Sequence, residues 1–242
     1  MPLSAVILPH APLLLPEVLE SSPESATARV RAGCVAAAPS ISGPRALVVS
    51  PHALRTGVYV SPYGDLAALG PRAPAALCAL DVVLTEEIAR RWDRPLLDEP
   101  PDHGVVVPLL LANPTVPIVA IGLQEGGDAA AEAASLARVL EELGAEGTLV
   151  ASANLSAGLT DRAPLTRLSG AEELERELVD ALQRDVGSLL QTAPRLASEA
   201  GSCALGPLAL LGHLFGGRPA EVLAHEWPYG VGYLVATIAS AR

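Results

Sequence analysis

The chain reads as an α/β protein: a three-layer sandwich with a central, mostly parallel or mixed sheet and helices on both faces. Three observations lead there. Strand-like and helix-like runs alternate along the chain, the clearest helical run repeats leucine at three- and four-residue steps, and half of the 242 residues are hydrophobic, enough to bury a large core. No linker, repeat or low-complexity tract divides residues 1–242, so a single domain is expected.

Short runs of β-type apolar residues place strands at Ala5–Leu8, Ala46–Ser50, Val116–Leu123, Thr148–Ser152 and Tyr233–Ile238. Helical patterns lie between them at Asp81–Trp92, Asp128–Leu143, Ala171–Gln191 and Ala204–Phe215. The third sets Leu174, Leu178, Leu182 and Leu189 on one face and Glu and Arg on the other, the mark of an amphipathic helix. Alternation of the two types implies crossover connections and hence helices on both sides of the sheet.

Acidic residues number 27 against 16 basic ones, a formal net charge of −11, and every basic residue is arginine. An acidic chain with no basic run and only one Phe, two Trp and four Tyr is ill suited to tracking phosphates or stacking bases, so nucleic acid is not an expected partner. Absence of lysine excludes Schiff-base chemistry on the protein and a P-loop of the Gly-Lys-Ser/Thr type. The apolar N-terminus lacks a basic leading segment, and Pro2, Pro9, Pro12 and Pro16 interrupt any long hydrophobic helix. Neither a leader nor a membrane span is therefore expected, and the expected compartment is the cytoplasm. Cys34, Cys78 and Cys203 are odd in number and far apart, which argues for reduced thiols.

His10 and His52 stand in matching contexts, each directly after a proline that follows an apolar strand. Ligands of open α/β sheets bind outside the carboxyl ends of the strands, so two imidazoles at two strand ends can converge on one point. A single histidine after a strand is most often a hydrogen-bonded structural residue; the repeated strand-proline-histidine pattern favours a metal pair. His103, in D-H-G-V-V-V-P-L, reads as part of a loop entering an apolar run, either an acid/base or a brace. His213 falls inside a helix, where packing or surface roles fit best. His225, beside an acid and two aromatics in A-H-E-W-P-Y, either lines a pocket or ends a loop. Cys203 directly precedes the helix Ala204–Phe215; a helix start lowers a thiol pKa and favours a metal-binding thiolate, the alternative being an inert buried cysteine.

Five segments taken in order, P-H-A-P-L-L-L-P-E, S-P-H, D-H-G-V-V-V-P-L, L-L-G-H-L and Y-G-V-G-Y-L-V-A, resemble the class III extradiol ring-cleavage dioxygenases. The likeness is to the protocatechuate 4,5-dioxygenase catalytic subunit and to the Memo-like branch, and it runs from end to end. It implies a mononuclear non-haem iron(II) held by two histidines and a carboxylate, with His10 and His52 as the histidines. Cys203 stands at the position of the family glutamate, as cysteine does in the Memo-like branch, with Glu199 the fallback ligand. A Cys/His₂ set also suits zinc or copper. In S-A-N-L-S-A-G, Ala157 stands where the dioxygenases carry an acid/base histidine, and alanine moves no proton. His103 matches another active-site histidine of the family; it and His225 are the candidate proton-transfer residues. The resemblance thus implies either ring cleavage of a small aromatic diol or a Memo-like metal-binding protein without that activity. A homo-oligomer is the expected assembly.

Overall fold

The structure, a computed structural model, describes residues 3–19, 22, 25–69, 74–126 and 128–240, and among these places ten strands and seven helices. The first half runs β1 (Leu3–Leu8), α1 (Ala26–Ala37), β2 (Ala46–Ala53), β3 (Gly57–Tyr59), β4 (Tyr63–Asp65), β5 (Ala75–Leu77), α2 (Val82–Trp92), β6 (Leu96–Leu97) and α3 (His103–Ala112). The second half runs β7 (Ile118–Gln124), α4 (Ala129–Glu142), β8 (Gly147–Ser152), α5 (Ala171–Leu182), α6 (Leu189–Ala200), α7 (Leu205–Phe215), β9 (Glu221–Glu226) and β10 (Tyr233–Ile238). Eight strands form one mixed sheet in the order β6-β3-β7-β2-β8-β1-β10-β9, and β4 and β5 pair separately. The central four, β7, β2, β8 and β1, are mutually parallel. Antiparallel pairs extend the sheet on both sides, β10 and β9 beyond β1 and β3 beyond β7.

Side chains alternate across the strands, and both faces are covered. Leu3, Ala5 and Ile7 of β1 join a core shared with α2, α4, α5, α6 and α7, while Val6 and Leu8 join one shared with α1 and α3. The expected three-layer α/β sandwich is therefore the architecture. Double coverage also explains why the central strands read as continuous apolar runs.

Helix α3 replaces the expected loop around His103. Its sequence HGVVVPLLLA is buried almost all round and so shows no polar stripe, and Pro108 sits inside it. Helix α1, rich in alanine, likewise lacked an amphipathic pattern. The expected helix Ala171–Gln191 is two helices, α5 and the start of α6. Asp185 marks the break, where its Oδ1 accepts the N–H groups of Gly187 and Gly217 at 2.7 Å each. Strand β9 covers the segment of His225 that read as a loop.

Three strand ends define the site. Leu8 of β1 pairs with Ser152 of β8, and Val49 of β2 pairs with Ala151, so the neighbours β1, β8 and β2 finish nearly level. The β2–β7 ladder slips register between Ser50 and Ala53, and Pro51 and His52 lie within that irregularity. Such a bulge re-aims the side chains it contains.

Asp102 caps α3 and joins it to β2 and β3: its Oδ1 accepts from Gly104 N–H (2.7 Å) and Ser50 Oγ–H (2.6 Å), its Oδ2 from Tyr59 Oη–H (2.7 Å). Gly104 packs so closely that a methyl group there would collide with Ser50 Oγ. Gly104→Ala should therefore destabilise the fold by about 1–3 kcal/mol, measured as a lower denaturant midpoint at unchanged m value.

Candidate metal centre

Over the carboxyl end of β8, three chain segments meet at Asn154. The backbone N–H of His10 donates to Asn154 Oδ1 (3.2 Å), and the hydroxyl of Ser202 donates to the Asn154 carbonyl (2.9 Å). Ser202 Oγ also accepts from Ala204 N–H (3.2 Å), fixing the turn that carries Cys203 between α6 and α7. Gly201, at φ +68°, makes that reversal possible, and any side chain on it would strike Leu165.

The result brings His10, His52 and Cys203 together, with one donor atom from each lying within 4.8 Å of the others. His10 Nε2 is 2.9 Å from His52 Nε2 and 3.5 Å from Cys203 Sγ. Tetrahedral ligation with bonds of about 2.0 Å to nitrogen and 2.3 Å to sulfur separates ligand nitrogens by about 3.3 Å and nitrogen from sulfur by about 3.5 Å. The two separations measured from His10 are close to these values, and drawing His52 and Cys203 together from within 4.8 Å would complete the fit, so the three residues can hold one metal ion. Each imidazole turns its other nitrogen to an outer partner: His10 Nδ1 to Ser152 Oγ (2.9 Å) and His52 Nδ1 toward Glu125 Oε2 (3.8 Å). Metal-binding histidines are oriented in this way. Ser152 and Asn154 open the segment S-A-N-L-S-A-G, which stands out only through Ala157, and Glu125 carries no motif.

His103, the first residue of α3, stacks on His52 with ring centroids 4.4 Å apart and planes inclined by 26°, and stands 5.6 Å from the His10 ring. Burial holds all three imidazoles below their ordinary pKa. His10 is lowered furthest, helped by the proximity of His52 and His103; His52 falls to about 4, and the charge of Asp102 only partly offsets the shift at His52 and His103. All three are thus neutral near pH 7. Burial also pushes the Cys203 thiol up to about 12, with the charge of Glu125 adding to the rise. The helix start was expected to favour a thiolate; desolvation outweighs it in the metal-free protein.

A cavity of about 530 Å³ opens over this cluster. His10, His52, His103, Cys203 and Glu125 line one part of it, and Leu155, Ala157, Arg162, Tyr229, Val231 and Tyr233 another. Tyr229 adopts a left-handed backbone, φ 60° and ψ 19°, a conformation that concentrates at functional sites. The other candidates lie elsewhere. Glu199, the fallback ligand, is exposed on α6 and pairs with Arg195 at 3.5 Å. Glu226, the acid beside His225, pairs with Arg29. His225 is bonded to the buried Glu175 at 2.9 Å and does not line the cavity, which corrects its expected place among the proton-transfer residues. His213 is exposed in the last turn of α7.

The sequence matches no family model and no curated protein. The structure is similar to the crystal structure of an uncharacterized protein from Escherichia coli K12, with a TM-score of 0.64 and 19% identity over 98% of this chain and 99% of that one. At that identity the likeness is one of fold. Among the described residues no helix is long and apolar enough to cross a membrane.

Two pH dependences follow. An unfolded chain protonates its histidines below about pH 6.5, whereas the fold holds His10, His52 and His103 neutral, so the metal-free protein should lose stability as pH falls from 6.5 toward 4. For His52, held at about 4, the loss is about 1.5 kcal/mol between pH 6.5 and 5; denaturant titrations of metal-stripped wild type and His52→Gln should show the loss and its reduction. Metal uptake must also displace the Cys203 proton. Affinity should therefore rise about tenfold per pH unit between pH 7 and 8 and flatten in Cys203→Ala, as competition with a chelating dye would measure.

Proposed function

We propose that the protein binds one metal ion through His10, His52 and Cys203 and acts on a small aromatic diol in the manner of an extradiol ring-cleavage dioxygenase. The observation that carries the reading is the convergence of these three donors beneath an open cavity that also receives a third neutral histidine, His103. The resemblance in the strand-proline-histidine segments supplies the reaction class and makes iron(II) the metal. A bound iron(II) would supply open coordination positions for the diol oxygens and for dioxygen.

The side chains set the rest of the chemistry. Neutral His103 can accept a proton from a diol hydroxyl at a ring nitrogen, while the Asp102 carboxylate next in sequence stabilises the imidazolium so formed. Leu155, Val231 and Tyr233 give the cavity apolar walls that limit water around a bound ring. Arg162 lines the same cavity and makes no side-chain hydrogen bond or ion pair among the described residues, so it favours a substrate carrying negative charge.

A second reading, a Memo-like metal-binding protein that does not open rings, is favoured by one residue. Ala157 lines the cavity at the position where the resembled dioxygenases carry their acid/base histidine. General acid/base assistance contributes about 10²–10⁴-fold, so the iron-loaded protein should consume oxygen slowly with catechols, and Ala157→His should accelerate it. Oxygen uptake with a panel of catechols on anaerobically loaded protein decides the matter. Uptake that Cys203→Ala abolishes and Ala157→His raises supports ring cleavage; an inert iron-loaded Ala157→His protein favours the second reading.

A further inference from the structure

Glu175 is a carboxylate that nothing in the proposed reaction uses, yet it is 1% exposed and fully engaged. Its Oε1 accepts the backbone N–H of Ser156 at 2.6 Å, and its Oε2 lies 2.9 Å from His225 Nε2. Gly232 packs directly on the carboxylate, and a side chain there would collide with both oxygens. Gly232 is itself bonded into the same loop: Leu155 N–H donates to its carbonyl (2.8 Å), and its own N–H donates to the Ser156 carbonyl (2.9 Å). One buried group thus joins α5, the loop after β8, the end of β9 and the approach to β10.

Each segment tied here contributes cavity wall from a neighbouring residue. Leu155 and Ala157 flank Ser156, Val231 and Tyr233 flank Gly232, and Tyr229 follows His225 in the next turn; all five line the cavity. Ser156, Gly232 and His225 do not. The backbone bonds at Ser156 and Gly232, which do not line the cavity, thus fix the neighbouring residues that do. The metal ligands are held by different groups, Ser152, Asn154 and Ser202.

We propose that Glu175 is a positioning residue, whose bonds to Ser156 and His225 fix the cavity wall formed by Leu155, Ala157 and Tyr229 and so set how a ligand sits over the metal. The bound metal and the choice of a diol as ligand rest on the function proposed above; the fixing of the wall does not. Glu175→Gln can still accept from Ser156 and can donate to an unprotonated His225 Nε2. Glu175→Leu leaves the Ser156 N–H without a partner in the interior.

The test compares full-length wild type, Glu175→Gln, Glu175→Leu and His225→Phe. It reads metal per chain, hydrogen exchange at the amides of Leu155, Ser156 and Gly232, and binding of the chromophoric diol 4-nitrocatechol to iron-loaded protein. Metal content should match wild type in all variants. In Glu175→Leu exchange should quicken and 4-nitrocatechol affinity weaken, each at least tenfold, with Glu175→Gln within threefold of wild type; His225→Phe should weaken the affinity as well and serves if Glu175→Leu does not fold. Unchanged exchange and affinity in the folded variants overturn the proposal, as does metal loss that parallels the loss of affinity, or failure of Glu175→Gln to restore the wall. A wild type that binds metal but no 4-nitrocatechol overturns the diol reading instead, and the exchange rates then judge Glu175 alone.

Discussion

Asn154 imposes the constraint on which the cavity depends, because it holds two turns at once. Its side-chain oxygen takes the His10 N–H and its carbonyl takes the Ser202 hydroxyl, so the chain leaving β1 and the chain entering α7 share one anchor. Strand β8 lies between β1 and β2 in the sheet. The space over its end is therefore where a residue after β1, a residue in the bulge of β2 and a residue from the helical layer can meet. Buried backbone groups require partners, and here those partners also aim the ligands.

Burial gives this geometry its electrostatic character. Three imidazoles packed ring to ring are stable only if they are uncharged, and desolvation keeps them so, with the facing Nε2 atoms of His10 and His52 sharing one proton in a 2.9 Å hydrogen bond. The thiol beside them is likewise kept neutral. A bound metal ion would relieve the crowding, with the Cys203 sulfur giving up its proton and the two imidazole nitrogens turning their lone pairs to a common centre. The net charge of −11, with Glu125 at the cavity, favours the approach of cations over anions, which leaves Arg162 as the feature of the cavity suited to an anionic ligand.

The fold class and the three candidate ligands were legible because each leaves a local trace. Apolar strands ended by Pro-His mark His10 and His52, and a cysteine just before a helix marks Cys203. Helix α3 was hidden because burial on every side erases the period that reveals a helix, which also turned His103 from the first residue of a helix into an apparent loop residue. Ser152, Asn154 and Glu125 act through positions that only strand register and turn geometry define. His225 misled for a related reason: an acid and aromatics beside it in sequence suggested a pocket, whereas its true partner, Glu175, lies fifty residues away in the chain.

X-ray absorption spectroscopy of the metal-loaded protein tests the central claim most directly, because it counts ligand atoms without reference to activity. Two nitrogen donors at about 2.0–2.1 Å and one sulfur at about 2.3 Å in the first shell, with the sulfur contribution absent in Cys203→Ala, are the predicted result. A first shell of oxygen and nitrogen alone in the wild-type protein would contradict the assignment of His10, His52 and Cys203 as one metal centre.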